Sequence, residues 1–347
     1  MKNKFLISVN TPLINKYDAL EVYKVVKSGW VSSAGSKINE FENKLSKFVS
    51  RKYGCCISSG TAALEIAIRS LDIPMNSEVI TPAFSIISNT NAILKNNLKP
   101  ILIDSNTSTW NISIEDLEKK ITSKTKALML PHIYGYANDM DKIIKICKKN
   151  KLFLIEDAAE MIGQTYKGKP CGSFGDISIF SFYANKHITT GEGGALFTNN
   201  KKLYNKFRSL RNLSFGVSNR FNHLDLSWNY RFTNMQAALG LSQLNRIDKI
   251  IKKKREIGNF FYHNLKDNKN IIIQKPLLSY CENIYWIFGI LIKKSNRKKT
   301  QTIRRKLEDY GIETRDFFWP MHKQNIYKKM ELFKKQKFPV AEFFANN

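Results

Sequence analysis

From about Gly60 onward, short apolar runs alternate with amphipathic stretches. Glu78–Thr81, Pro100–Asp104, Ala127–Pro131 and Leu152–Glu156 are brief and apolar on both faces, which predicts buried strands. Between them, Ala62–Leu71, Ile86–Lys95, Ile114–Ile121 and Met140–Lys149 repeat apolar residues at helical spacing. Such alternation predicts an α/β fold, a mostly parallel central sheet covered by helices on both faces. Ligands in these sheets bind at the carboxyl ends of the strands, which singles out the loops after Thr81, Pro131 and Glu156. Tyr166–Pro170, with Gly168 inside it, predicts a turn, and Asp176–Phe182 a further strand.

After Asn234 the pattern changes. Met235 to about Leu265 reads as one long helical stretch, with Lys and Arg gathered toward its end. From Asn268 the chain carries short strand patterns such as Tyr285–Ile292 and a helix near Thr302–Tyr310, which suits a small α+β unit. The expected division is a large domain over residues 1–245 and a smaller one over 246–347, with the N-terminal segment free to pack on the latter.

At 347 residues and 43% apolar, the chain can bury one large core and a lesser one. No apolar run approaches the roughly 20 residues of a membrane span, and Met1–Asn10 lacks the layout of a signal peptide. A cytoplasmic protein without a membrane partner is therefore expected. The five cysteines, Cys55, Cys56, Cys147, Cys171 and Cys281, form no CxxC pair and no ligand spacing with His, so neither zinc nor a disulfide framework is expected. The formal charge of +27 raises the question of nucleic acid. The lysines are scattered, however, and their densest clusters, Lys252–Arg255 and Lys293–Arg305, read as solvated faces. Such a surface attracts an anionic small substrate, a nucleotide diphosphate for instance, without requiring nucleic acid.

Candidate chemistry gathers between Glu156 and Gly194. Asp157 closes a buried strand, and Lys186 sits in Asn185-Lys186-His187 just before the glycine-rich Gly191–Gly194. A pyridoxal-5′-phosphate (PLP) site needs a lysine amine and a carboxylate that keeps the pyridine nitrogen protonated. On spacing alone, the pair reads more readily as a surface salt bridge. Ser58-Ser59-Gly60-Thr61-Ala62-Ala63 lies directly before an apolar helix, where Gly60, Thr61 and Ala62 suit a phosphate on the helix N-terminus as well as they suit an ordinary cap. Ser181 offers a hydroxyl to the same phosphate.

Taken together, Ser28–Ser33, Ser59–Leu64, Glu156–Glu160, Gly172–Asp176, Ser181 through Lys186 to Gly194, and Asn229–Asn234 resemble, in order, the DegT/DnrJ/EryC1/StrS family of sugar aminotransferases. The resemblance runs from about residue 7 to residue 341. It implies the aspartate-aminotransferase-like PLP fold (fold type I), with Lys186 as the Schiff-base lysine, Asp157 as the partner of the pyridine nitrogen and Glu160 beside the ring hydroxyl. Thr61, Ala62 and Ser181 match phosphate ligands. Asn229 matches a phosphate ligand supplied by the neighbouring subunit, and Arg231 a basic residue of that same loop, which implies a homodimer with shared active sites. Ile86 falls where relatives place an aromatic ring over the cofactor, with Phe84 as the alternative cover. Trp30 and His322 are candidates to line the sugar pocket.

Glutamate is the amino donor that the resemblance implies, and a nucleotide-linked keto-sugar the acceptor. In relatives that dehydrate the sugar the lysine position is histidine, so Lys186 favours transamination. Glu160, Thr189–Gly194 and Glu313-Thr314-Arg315 leading to Pro320-Met321-His322 are similar to the perosamine-forming branch, which aminates a GDP-linked 4-keto-6-deoxy sugar for surface polysaccharide. UDP- and dTDP-sugar relatives share much of this wording, and a family member retired to a binding role is the alternative of another class. Relatives also continue past Phe338-Pro339-Val340-Ala341-Glu342 for a further strand and helix, whereas this sequence ends at Asn347, so exposed apolar surface is expected in the smaller domain.

Overall fold

A computed structural model describes residues 6–347; residues 1–5, part of the segment Met1–Asn10 considered above as a leader, lie outside the described residues. The strands are β1 (Tyr53–Ile57), β2 (Glu78–Pro82), β3 (Lys99–Ile103), β4 (Thr125–Pro131), β5 (Phe153–Asp157), β6 (Thr165–Tyr166), β7 (Lys169–Pro170), β8 (Ile177–Ser181), β9 (Gly194–Thr198), β10 (Ile271–Ile273) and β11 (Ile290–Ile292). A seven-stranded sheet has the order β1-β9-β8-β5-β4-β2-β3. Its pairs from β8 to β3 are parallel, and β9 alone runs against its neighbours.

Both faces of this sheet are covered, as the two-sided apolar strands require. Successive strand residues feed opposite cores. Cys55, Val79, Met129, Ile155 and Ile179 pack on the side of the helices Gly60–Arg69 and Lys201–Leu210. Cys56, Ile80, Leu130, Leu154 and Phe180 pack on the side of Ser36–Phe48, Met140–Lys149 and Asn234–Leu244. A third cluster joins Phe84, Trp110 and Tyr134 to Trp286, Met321, Phe338 and Phe344. It lies beyond the carboxyl ends of β2 and β4, and it fastens the C-terminal part of the chain over that end of the sheet.

The turn expected at Tyr166–Pro170 is a hairpin of β6 and β7 whose central residues, Lys167 and Gly168, have φ of 49° and 78°. Positive φ at both positions gives the twist a two-residue hairpin needs. Two expectations are corrected. The stretch Met235–Leu265 is two helices, Asn234–Leu244 and Ile247–Leu265, broken at Arg246. The Arg246 guanidinium is drawn to the Leu13 carbonyl at 2.6 Å and to the buried Asp18 carboxylate, contacts more than 200 residues away in sequence. The strand expected over Tyr285–Ile292 is confined to Ile290–Ile292, because Tyr285 has φ of 48° and cannot lie in an extended ladder.

The basic clusters also divide. The helix Arg297–Asp309 buries no residue. In Lys252–Arg255 only the first two side chains are exposed; Lys254 turns inward and Arg255 pairs with Glu282 at 3.2 Å. All five cysteines are buried and unpaired with one another. Among the described residues, no helix is long and apolar enough to cross a membrane.

Candidate active site

The carboxyl ends of β5 and β8, the start of the helix after β1 and the loop between β8 and β9 meet at one edge of the sheet. Asp157, the last residue of β5, is buried there. Its Oδ1 accepts the Ala159 N–H at 3.1 Å and its Oδ2 accepts Asn89 Nδ2 at 3.0 Å. Burial raises its proton affinity above the ordinary carboxyl value, while these hydrogen bonds and the nearby Lys186 pull it back.

Glu160 follows in the same loop, and its Oε2 accepts the Tyr134 N–H at 2.8 Å. Burial pushes its pKa up to about 8, against the attraction of Lys186. Burial likewise lowers the pKa of Lys186, against the opposing pull of Glu160 and Asp157. A depressed amine beside an elevated carboxyl is a pair between which a proton moves at little cost. An amine that must act as nucleophile and proton carrier requires that condition. Lys186 Nζ also lies 3.9 Å from the centre of the Trp286 ring.

The prospective phosphate end is built from a close approach. Ser59 caps the helix Gly60–Arg69, its Oγ accepting the Ala62 N–H at 3.1 Å. That N–H is thus engaged within the chain, and the Gly60–Thr61 end of the helix remains to receive an anion. A Cβ placed on Gly60 would fall 2.9 Å from Ser181 Cβ, so glycine is what lets the helix start and the end of β8 stand side by side. Thr61 Oγ1 is 2.8 Å from Ser88 Oγ, on the next helix.

Other expected residues are placed differently. Ile86 is 43% exposed at the start of the helix Ile87–Lys95, whereas Phe84 is fully buried against Tyr134, Phe317, Phe318 and Phe344. Asn229 is exposed, Arg231 donates to Asn212 Oδ1 at 2.9 Å, and the intervening Tyr230 carbonyl accepts the Ser58 N–H at 3.0 Å. Trp30 is 63% exposed, on a loop tied to Asn234, whose Nδ2 donates to the Trp30 carbonyl at 2.7 Å. His322 is turned inward; its Nε2 meets Glu342 Oε1 at 2.9 Å and its ring packs on Phe338. None of Asn229, Trp30 or His322 is brought against Lys186 within this chain's described contacts.

Sequence reasoning missed Asn89, which holds Asp157, and Trp286, which covers the amine. A polar residue on the apolar face of a predicted helix was the available sign for Asn89; nothing local marked Trp286. Also missed was the buried tie beneath the site. Glu156 accepts the N–H groups of Gly172, Phe174 and Gly175 at 2.5, 2.9 and 3.1 Å, and His132 Nε2 lies 3.1 Å away. The His132 Nδ1 accepts the Asn138 N–H, so Nε2 carries the proton it gives to Glu156. Cys171 lies beside this pair, but the Glu156 oxygens are committed to backbone donors, which makes the cluster a structural tie.

The residues fit PLP on this geometry: an amine of lowered proton affinity, a buried hydrogen-bonded carboxylate opposite it, and a helix start at which a single glycine allows close approach. Residues 12–347 match the DegT/DnrJ/EryC1/StrS aminotransferase family. The chain is 40% identical over 336 residues to the GDP-perosamine synthase of Escherichia coli O157:H7, covering 97% of this chain and 90% of that protein. It is 35% identical over 341 residues to the GDP-perosamine synthase of Vibrio cholerae, covering 98% and 92%. Among solved structures it is similar to the PLP form of the putative sugar aminotransferase Spr1654 of Streptococcus pneumoniae, with a TM-score of 0.90 and 26% identity over 97% of this chain and 91% of that one. The chain belongs to the DegT/DnrJ/EryC1/StrS family of PLP-dependent sugar aminotransferases.

Proposed function

We propose that this chain works in the cytoplasm as a homodimeric aminotransferase, carrying an amino group from glutamate to a GDP-linked 4-keto-6-deoxy sugar. The observation that carries the transamination reading is the half-buried Lys186, its amine 3.9 Å from the Trp286 ring and under the pull of the buried Glu160 and Asp157 carboxyls. The nucleotide assignment is supported by the 40% identity to a GDP-perosamine synthase. PLP, when bound, supplies an electron sink for the bonds broken at the amino-bearing carbon. Asp157, its carboxylate oriented by two hydrogen bonds, would hold a proton at the ring nitrogen. Lys186 anchors the cofactor and moves the proton at the reacting carbon, with Glu160 beside it as a second proton holder. Gly60, Thr61 and Ser181 would receive the phosphate, and Ile86 would give apolar cover without stacking. Asn229, exposed in its own chain, would reach the phosphate of the partner's site, with Arg231 of the same loop and the exposed Trp30 toward the substrate. The division into a large domain over 1–245 and a smaller one over 246–347 belongs to the same reading.

The test begins with absorbance spectra of the wild type and of Lys186→Ala, each with added PLP, before and after glutamate. Wild type should show a visible band that glutamate discharges, and the variant should form none. GDP-, UDP- and dTDP-linked 4-keto-6-deoxy sugars are then offered as acceptors; amination of a UDP or dTDP sugar in preference to the GDP sugar overturns the nucleotide assignment. For the shared site, inactive Lys186→Ala and Asn229→Ala proteins are mixed and allowed to exchange subunits. Regained activity supports the dimer with shared sites; none counts against it.

A further inference from the structure

Four chain segments close a ring of hydrogen bonds around the loop that carries Lys186. The Asn185 carbonyl accepts the Trp286 indole Nε1–H at 3.0 Å and Asn10 Nδ2 at 2.5 Å. Lys254 Nζ completes the circuit, donating to Asn10 Oδ1 at 3.0 Å and to the Trp286 carbonyl at 3.3 Å. The N-terminal segment, the Lys186 loop, the helix Ile247–Leu265 and the stretch leading into β11 are thus fastened at one point. Trp286 occupies a central place in it. Its N–H fixes the residue before Lys186, its ring stands 3.9 Å from the Lys186 amine, and the ring also packs against Tyr134, whose N–H holds Glu160.

We infer that Trp286 is a positioning residue for Lys186: its ring face favours the ammonium form of the amine whenever the lysine is free of the cofactor, and its indole N–H fixes the loop from which the lysine reaches. The electrostatics of the pocket leave room for this role. Burial depresses the Lys186 amine, and the charged groups that act on it are Glu160, in the loop after β5, and Asp157, the last residue of β5. His187, the next residue, is buried and neutral, with its ring nitrogen toward the Ile284 carbonyl. A ring face 3.9 Å from the amine supplies attraction for a cation without adding a titrating group. Placed in this way, Trp286 favours the ammonium form of the free lysine over the neutral amine. It also ties the lysine to the C-terminal part of the chain.

The inference rests on reading Lys186 as the cofactor lysine, and its test is made on the apo-protein so that the two stand apart. Wild type, Trp286→Phe and Trp286→Leu are labelled with an amine-specific reagent across a pH series, and modification of Lys186 is read by peptide mass spectrometry. Easier access changes the plateau rate, whereas loss of the ring face moves the midpoint. Trp286→Leu should shift the midpoint to lower pH, raising the reactive fraction below the midpoint about fivefold. Trp286→Phe, which keeps a ring face, should shift it much less. A midpoint in Trp286→Leu that is unmoved or raised overturns the inference, as does an equal shift in both variants. Because Trp286→Leu removes a buried ring, Asn10→Ala provides a milder variant: amide hydrogen exchange over residues 183–190 should quicken, and unchanged exchange overturns the fastening of the loop. Failure of the wild type to form a visible band with PLP would instead count against the reading of Lys186, whatever its apo-protein midpoint.

Discussion

Replacing Gly60 by alanine should weaken cofactor binding through a single contact. The added Cβ would fall 2.9 Å from Ser181 Cβ and 3.3 Å from Ser181 Oγ, with Ser181 Cα at 3.5 Å. Because that carbon is bonded directly to the backbone of β8, rotamer change cannot relieve the clash. The helix start and the strand end must separate by about 0.5–1 Å, and overpacking of this kind costs about 1–3 kcal/mol. Alanine also gains up to about 1 kcal/mol in helix propensity, less at a first-turn position, so the net loss is about 1–2 kcal/mol. A shift of that size at a phosphate cradle corresponds to about tenfold weaker PLP binding. Titration of the apo-enzyme with PLP, followed by visible absorbance, measures it. Ser181→Gly removes the opposing carbon and also a proposed phosphate hydroxyl. The informative quantity is therefore the coupling in the double mutant: Gly60→Ala should cost much less in the Ser181→Gly background. Wild-type affinity in Gly60→Ala, or strictly additive losses in the double mutant, would refute the steric argument.

Three further outcomes follow from the same geometry. Ile86→Tyr should tighten PLP binding severalfold, since an aromatic pair contributes about 0.5–1.5 kcal/mol and Ile86 is exposed enough to accept the ring; unchanged affinity in the titration counts against Ile86 as the cover. Burial lowers the His187 pKa from 6.5 to about 3, so between those values the unfolded chain binds a proton that the folded chain does not. Stability must then fall as pH drops through 6.5, by about 2 kcal/mol at pH 5, and denaturant unfolding of His187→Gln should show a shallower acid loss than wild type. Glu156→Ala strands the backbone donors of Gly172, Phe174 and Gly175 together with His132, at a cost of about 3–5 kcal/mol, which a large fall in Tm should report.

What the sequence exposed was whatever a short window encodes. Val79, Ile80, Met129 and Leu130 announce buried strands because each strand carries its apolar residues on both faces. Asp157 and Lys186 stand in local motifs, one at the end of β5 and the other in the loop between β8 and β9. The features that escaped notice depend on partners distant in the chain. Arg246 breaks a helix because Asp18 and Leu13 lie beside it, and no periodicity between Met235 and Leu265 records that. His322 faces inward because Glu342 and Phe338 meet it there. Lys254, one of four consecutive basic residues, is set apart from the exposed Lys252 and Lys253 by Asn10 and the Trp286 carbonyl.

The same distinction orders the parts of the site by what a variant should disturb. Asp157, Glu160 and Ser181 sit at the ends of β5 and β8, so their positions are fixed by the central sheet and its two cores. The Lys186 loop spans the gap between β8 and β9, and it is held at Asn185 by residues of the N-terminal segment and of the C-terminal part of the chain. Carboxylates and phosphate cradle are therefore rigid with respect to each other, while the lysine's setting depends on how the outer segments are packed. Substitutions in those segments, far from any cofactor atom, should alter the chemistry of the amine while leaving the phosphate end unchanged. Substitutions at Gly60 or Ser181 should do the reverse.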